Sequence, residues 1–281
     1  MRKRTLGLLG DSPKKDYIDK LDVFNQFAAP ELRQVISDLQ LSKGDAILDA
    51  GCGTGLISMW LAQAVAPSGS VLGIDLSQPH VFHAQRRLIG TELPVSVVQG
   101  DISRLPIADR SFDMIWCSNT IHHLRSPVHG TRLLVEKLRP NGRLVLGQSA
   151  FLPEMFFAWN ARLEKEVMLA CRQYYRDKYG LDERDTAAVR NLLGWLKRAG
   201  LTDVSVRTIV IERTGPLCPE DEVYFLEGVF KGYWGDRLRP YLSPEDWAEL
   251  EQLCNPDSPQ FCLRRPDFHH VQTFTVAVGE A

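Results

Sequence analysis

The 281-residue sequence lacks several things, and each absence excludes a class of protein. No run of about 18 apolar residues exists, so no membrane-spanning helix is expected. None of the six cysteines (52, 117, 171, 218, 254 and 262) forms a CxxC pair. A chain of this length buries enough surface without covalent staples, so free thiols in a reducing compartment are expected. There is no excess of charge: 33 basic against 35 acidic residues leave a net charge of −2, which argues against wholesale nucleic-acid binding. No histidine or carboxylate cluster has metal-ligand spacing, so no metal is expected. Neither repeats nor low-complexity tracts occur. The basic start MRKRTLGLLG meets Asp11 too early for a signal peptide, and the expected address is the cytoplasm.

What remains is ordinary soluble composition, 44% apolar and 24% charged. Residues 1–16 read as a flexible arm. Apolar residues recur at helical spacing from Asp16 to Leu41, with Pro30 near the start of a second helix. DAILDAGCGTG then runs from a strand into glycines, and a helix follows from about Leu56 to Ala66. VLGIDL, VSVVQGD, FDMIWCSN and RLVLGQS read as further strands, with helices between them over Pro79–Gly90 and Val128–Leu138. This alternation predicts an α/β, doubly wound parallel sheet. Beyond Ser149 the rhythm breaks. Residues 151–182 read as one long irregular helix and Glu183–Ala199 as another. VSVRTIVIE is a sixth strand, residues 214–268 hold two short helices, and HVQTFTVAVG is a final strand. The expected organisation is a core over 17–150, a helical insertion over 151–182, core again over 183–213, a second insertion over 214–268, and a last core strand over 269–281.

The informative segment is Asp49-Ala50-Gly51-Cys52-Gly53-Thr54-Gly55, where a strand stops, turns on glycines and becomes a helix. Glycine permits backbone conformations closed to other residues and lets a ligand approach the main chain. Ligands of open α/β sheets bind at the carboxyl ends of the strands. The spacing is G-x-G-x-G, with Leu at position 56 where a dinucleotide fingerprint wants glycine. Asp49 would place negative charge near the loop, which is poor for a pyrophosphate and suits a ligand carrying an amine and a sulfonium. Asp75 ends the second strand, where an acid can accept both hydroxyls of a ribose; a helix cap is the other reading. Asp101 and Ile102 follow the third strand, placed to take an adenine amino group and cover the ring face.

In this order and spacing, ILDAGCGTG, GIDLS, QGDISRLPIADRSFDMIWCSNTIHHL and RPNGRLVLGQ resemble the class I S-adenosylmethionine-dependent methyltransferases, in particular their small-molecule branch with the quinone-biosynthesis C-methyltransferases. The matching stretches run from Ile47 to Gln148. The resemblance implies a seven-stranded Rossmann-like sheet with a reversed last strand, carrying helical lid insertions, and S-adenosylmethionine as cofactor. Carried over by position, Asp49, Gly51, Gly53 and Gly55 would cradle the methionine part. Asp75 would hold the ribose, Leu76 would flank the adenine, and Asp101 and Ile102 would hold it. Ser118, Asn119 and His123 would border the methyl channel, and Tyr17 would close over the cofactor.

His122 and His123 follow the fourth strand, where a general base would reach an acceptor. The other reading is that one packs and the other caps the next loop. Sixteen of the 25 aromatic residues fall within 151–190 and 214–268, about a third of the chain. They read either as the wall of an acceptor pocket, with Phe156, Phe157, Tyr174, Tyr224 or Tyr233 in contact, or as the core of the insertion or a dimer face. Cysteines 171, 218, 254 and 262 could hold a soft acceptor such as trivalent arsenic, but their flanks do not resemble arsenite methyltransferases. The expected activity is methyl transfer to a small aromatic or hydrophobic metabolite by a monomer or homodimer, without nucleic acid or membrane. No DPPY- or NPPY-type tetrapeptide follows the fourth strand, which counts against DNA substrates. A protein or RNA methyltransferase, or a cofactor-binding regulator without turnover, is the alternative.

Overall fold

The computed structural model describes residues 18–152, 154–180 and 188–281. Two helices come first, α1 (Ile18–Phe27) and α2 (Ala29–Asp38), the second opened by Pro30 in its first turn. Seven strands follow: β1 (Ala46–Ala50), β2 (Ser70–Asp75), β3 (Val95–Gln99), β4 (Phe112–Ser118), β5 (Leu138–Ala150), β6 (Thr202–Thr214) and β7 (His269–Glu280). The sheet order is β3-β2-β1-β4-β5-β7-β6. The first five strands pair in parallel, whereas β7 runs antiparallel to both β5 and β6. The reversed last strand implied by the sequence is therefore present.

The central strands are apolar throughout because helices cover both faces. Ile47, Leu48, Met114, Ile115 and Trp116 are fully buried. Helix α3 (Leu56–Val65) and helices α1 and α2 pack on one face, around Trp60, Leu61, Val65 and Trp116. On the other face, α5 (Pro127–Val135) and α7 (Leu192–Arg198) pack around Leu134, Trp195 and Leu196. Helix α4 (Gln78–Leu88) lies against β2 and β3. Chain order reverses between β1 and β4, the position at which open α/β sheets form a crevice at the carboxyl ends of their strands.

The insertions differ from expectation in detail. Residues 151–182 are not one long helix: α6 covers Ala161–Tyr179 only, started by Asn160, whose side chain accepts from Arg162 N at 3.0 Å. Ahead of it Met155 and Phe156 are pinned by the buried carboxylate of Glu164, which accepts from both amides at 2.6 and 2.9 Å. Between Ala188 and Ala199 the helix is a 3₁₀ turn followed by the short α7. The second insertion holds α8 (Pro219–Val223), a wide π-type helix over Tyr224–Trp234, and α9 (Pro244–Cys254). Its aromatics join the core rather than standing apart from it. Phe156 stacks on Trp159 at 4.6 Å, Phe230 on Trp234 at 5.6 Å, and Phe27 of α1 on Tyr224 at 3.9 Å. Arg213 at the end of β6 fastens this layer. Its guanidinium lies over Phe27 at 4.6 Å and pairs with Glu31 of α2 at 2.7 Å and Asp221 of α8 at 3.2 Å.

Truncating the sheet centre should be far costlier than truncating its edge. Met114→Ala is expected to lower the unfolding free energy by about 2–5 kcal/mol. Val206→Ala, on edge strand β6 and 45% exposed, should stay within about 0.5 kcal/mol in the same urea titration.

Candidate functional site

The crevice is built by three strand ends. After β1 the chain passes through Gly51, Gly53 and Gly55, all in the left-handed region at φ +82°, +53° and +78°. Gly51 is held by its N–H on Ile74 O at 2.7 Å, and a Cβ there would lie 2.2 Å from the Thr120 hydroxyl that follows β4. Both conformation and space exclude a side chain, so the loop lies tight against the β4 end.

Asp49 sits beneath this loop, 2% exposed, accepting from Ser58 Oγ of α3 at 2.6 Å. Among the described residues no cation pairs with it. Burial pushes its carboxyl group up to about 7 against the pull of the Ser58 bond, and the nearby Asp75 adds to the rise. Asp75 ends β2 with its oxygens turned to the main chain. One accepts from Gly53 N at 2.9 Å; the other accepts from Ser77 N at 2.8 Å, with His80 Nδ1 at 3.3 Å. Ser77, not Asp75, caps α4. Leu76 is half-buried beside it. Asp101 accepts from the amide and the hydroxyl of Ser103 at 2.8 and 2.7 Å, and the Ile102 side chain is buried behind it.

At the end of β4, Ser118 Oγ accepts from Trp116 Nε1 at 3.0 Å. Asn119 is left-handed at φ +48°, and its Oδ1 accepts from Ser149 N at 2.8 Å, Ser149 Oγ at 3.0 Å and Gln148 Nε2 at 3.0 Å. The rings of His122 and His123 follow, 4.1 Å apart. Burial, and then His123, hold His122 well below the usual imidazole range, with Gln148 opposing; burial also lowers His123, with Asp75 opposing. Both rings are therefore neutral and weaker bases than free imidazole.

The structure thus gathers Asp49, the glycines, Asp75, Ser118, Asn119, His122 and His123 around one crevice. Tyr17 lies outside the described residues. The aromatic candidates divide. Phe156 is 1% exposed and enclosed by Trp159, Phe225, Trp234 and His270, so its ring belongs to the core; Phe157 is 56% exposed against His269. Phe156 pairs with His270 in an isolated antiparallel bridge and Phe157 begins the turn after it, so the two neighbouring rings part. Tyr224 is also a core residue, stacked on Phe27 and donating its hydroxyl to Gln272 Oε1 at 2.7 Å. Tyr174 and Tyr233 are half-buried, Tyr233 against Phe151 and Tyr175. Cys171 and Cys262 are buried and their thiols pushed up to about 12 by desolvation, which makes them inert; Cys218 is exposed. Among the described residues no cluster of His, Cys, Asp and Glu could hold a metal ion, and no helix is long and apolar enough to cross a membrane.

Sequence reading missed the clamp on the glycine loop. Asp22 of α1 accepts from the Thr54 hydroxyl, and its other oxygen accepts from Arg87 of α4 at 2.6 Å. Nothing in a helical apolar spacing marks Asp22. Gln148 was missed too, although a polar residue ending a buried strand at the crevice was a usable signal.

The strands that build this crevice are also where the chain is similar to known proteins. The sequence profile of the methyltransferase domain matches residues 47–142, from β1 through β4 to the turn within β5. Residues 47–142 form a methyltransferase domain, similar to those of the class I, S-adenosylmethionine-dependent enzymes. It is 36% identical over 117 residues to 27-O-demethylrifamycin SV methyltransferase of Amycolatopsis mediterranei, covering 41% of this chain and 42% of that one. To demethylmenaquinone methyltransferase of Lactobacillus johnsonii it is 30% identical over 114 residues, covering 40% and 47%. The chain therefore spans less than half the length of these two curated relatives. A crystal structure of an S-adenosylmethionine-dependent methyltransferase from Aquifex aeolicus superposes with a TM-score of 0.52 at 22% identity, over 70% of this chain and 93% of that one, which shows a shared fold.

The uncompensated acid of the methyltransferase domain has a signature in stability. Asp49 holds its proton up to about pH 7 in the native chain and only to 3.8 when unfolded. The native state then binds more protons between those values, and its stability falls as pH rises through them, by at most about 1.4 kcal/mol per pH unit. Asp49→Asn should remove this slope from the ligand-free protein. Denaturation midpoints of the two proteins should converge below pH 4 and diverge towards pH 7.

Proposed function

We propose that the protein transfers a methyl group from S-adenosylmethionine to a small aromatic or hydrophobic acceptor. The observation that carries this reading is a buried carboxylate, Asp49, left without a cation beneath a glycine loop and within the field of a second acid, Asp75. Such an arrangement repels phosphates and is relieved by a positively charged ligand, which fits the ammonium and sulfonium of this cofactor. The bound cofactor supplies an electrophilic methyl group.

The chain's own residues do the rest. The backbone of Gly51–Gly55 cradles the methionine part. Asp75 turns an oxygen from Gly53 N towards the ribose hydroxyls. Leu76, Asp101 and Ile102 receive the adenine. Ser118, Asn119 and His123 border the path to the methyl group, with His122 facing the acceptor. Helix α1, held on Thr54 by Asp22, covers the loop and limits water. Aligning acceptor and methyl in a dry crevice lowers the barrier mainly through proximity, by up to about 7–11 kcal/mol in the best cases. The rifamycin and demethylmenaquinone enzymes, matched over the cofactor half, support a small-molecule acceptor. We further propose that Tyr174 and Tyr233 border the acceptor, being the aromatic candidates not consumed by the core, and that the protein acts in the cytoplasm.

Binding of S-adenosylhomocysteine, followed by calorimetry, tests the cradle. Gly51→Ala should weaken it at least about tenfold, about 1.4 kcal/mol, because the new methyl displaces Thr120. Gly90→Ala, equally left-handed but with nothing within 4 Å, should cost about 1–2 kcal/mol of stability and leave binding unchanged. Turnover is read as S-adenosylhomocysteine formed with a panel of hydroxylated aromatic and polyketide acceptors. His122→Ala should lower kcat and keep cofactor affinity; normal turnover in both this variant and His123→Ala would remove the base role.

A further inference from the structure

At the end of β4 one hydrogen bond has its direction fixed by chemistry. Trp116 Nε1 lies 3.0 Å from Ser118 Oγ. An indole nitrogen can only donate, so the Ser118 oxygen accepts and keeps its own hydrogen to give. Among the described residues no acceptor takes that hydrogen; the main-chain oxygen of Ser118 is itself taken by Thr120 Oγ1 at 2.7 Å. The indole pairing is selective, because the buried indole nitrogens of Trp60, Trp234 and Trp247 have no partner. Residues two apart on a strand face the same way, which sets Trp116 directly beneath Ser118. Phe274 of β7 closes a second side. It lies across Gly147, the β5 register partner of Ser118, where a Cβ would sit 2.6 Å from the Phe274 ring and 3.0 Å from Ser118 Cβ. Trp116 is fully buried and Ser118 half-buried, so what Ser118 shows to solvent lies at the carboxyl end of the strand. There the Thr120 hydroxyl that holds Ser118 O is also 3.5 Å from Gly51 O of the glycine loop.

We propose that Trp116 is a positioning residue that turns the Ser118 hydroxyl into the crevice as a hydrogen-bond donor, and that this donor takes an oxygen lone pair of the methyl acceptor, in a carbonyl or phenolate group. This deepens the methyltransferase reading and rests on it. A hydroxyl that accepts from an indole is polarised and becomes a stronger donor. Across the crevice Asp75 offers carboxylate oxygens, which repel a lone pair. An acceptor oxygen is therefore drawn to Ser118 and away from the acid, and the acceptor is oriented before transfer. The place of Ser118 in the sheet favours the acceptor over the cofactor as its ligand. Strand β4 stands one strand beyond the glycine loop, and Ser118 pairs with β5, on the side away from β1.

The bond itself is read without any acceptor, from the indole N–H proton resonance of Trp116 in nitrogen-labelled protein loaded with S-adenosylhomocysteine, Trp116→Phe providing the assignment. Ser118→Ala should move that resonance upfield, and an unmoved resonance overturns the proposal. The role is read in steady-state kinetics with a hydroxylated aromatic acceptor from the panel that turns over. Ser118→Ala and Trp116→Phe should each raise the acceptor KM about tenfold and leave S-adenosylhomocysteine affinity unchanged. Once Ser118 is alanine, Trp116→Phe should add nothing, because the indole acts through the hydroxyl. Additive losses in the double variant would mark the indole as packing alone and overturn the positioning role. A wild-type acceptor KM in Ser118→Ala overturns the proposal, and a loss of S-adenosylhomocysteine affinity in its place gives the hydroxyl to the cofactor and overturns it equally. Failure of the methyltransferase reading appears separately, as absence of S-adenosylhomocysteine binding by the wild-type protein or of turnover with the whole panel.

Discussion

A carboxylate buried beneath a glycine loop with no positive charge to answer it is the constraint on which the site depends. Asp49 lies near the end of β1, between β2 and β4, and is packed under α3, where the Ser58 hydroxyl is its one hydrogen-bond partner among the described residues. One hydroxyl does not offset the loss of water around an anion, so the group resists ionisation. Asp75 stands close enough to worsen this, yet its own oxygens are occupied by Gly53 N and Ser77 N. The crevice is consequently a place of stored electrostatic demand. A fold tolerates such a residue only where another interaction offsets the cost, which is why strain of this kind concentrates at functional sites.

The same demand explains why the glycine loop is held from so many directions. Ile74 O, the Asp75 carboxylate, Thr120 and, through Thr54, Asp22 of α1 all fasten it. Asp22 is itself neutralised by Arg87, so α1 can approach an acidic crevice without adding unpaired charge. From α1 the connection continues into the second insertion. Phe27 lies between Tyr224 and the Arg213 guanidinium, and Arg213 pairs with both α2 and α8. Covering helix, edge strand and insertion are therefore one packed layer. Opening the crevice by moving α1 would have to break aromatic stacking as well as hydrogen bonds.

What the sequence made legible follows from what is local. Glycines needing a left-handed backbone, acids at strand ends and strands separated by short helices are all short-range signals, and they placed the parallel strands with Asp49, Asp75 and Asp101 at their ends, whereas the reversed strand followed only from the family resemblance. Partners distant along the chain were not legible. Asp22 meets Thr54 across 32 positions and Arg213 meets Glu31 across 182, and neither pair leaves a mark in spacing or composition. The aromatic count located the insertions but could not say which rings face inward. Phe156 and Phe157 are neighbours with opposite fates because the chain turns directly after the bridge that Phe156 makes to His270. The expected long helix over 151–182 failed at its start, where Glu164 ties two amides of a non-helical segment.

Neutrality is what lets the polar groups at the β4 and β5 ends coexist with the acids across the crevice. A positive His123, in the field of Asp75, would compete with a cationic ligand for that field. Burial holds both histidines neutral, which leaves the negative potential to the ligand and leaves the rings free to exchange a proton only when charge moves. During methyl transfer the positive charge on sulfur disappears as a proton becomes available at the acceptor. A neutral His123 within the field of Asp75 is placed to take up charge at that moment, because the acid that first favours the cation then favours the imidazolium. On the proposed reading, one electrostatic arrangement serves ligand binding and proton removal in succession, and it requires that the histidines begin uncharged.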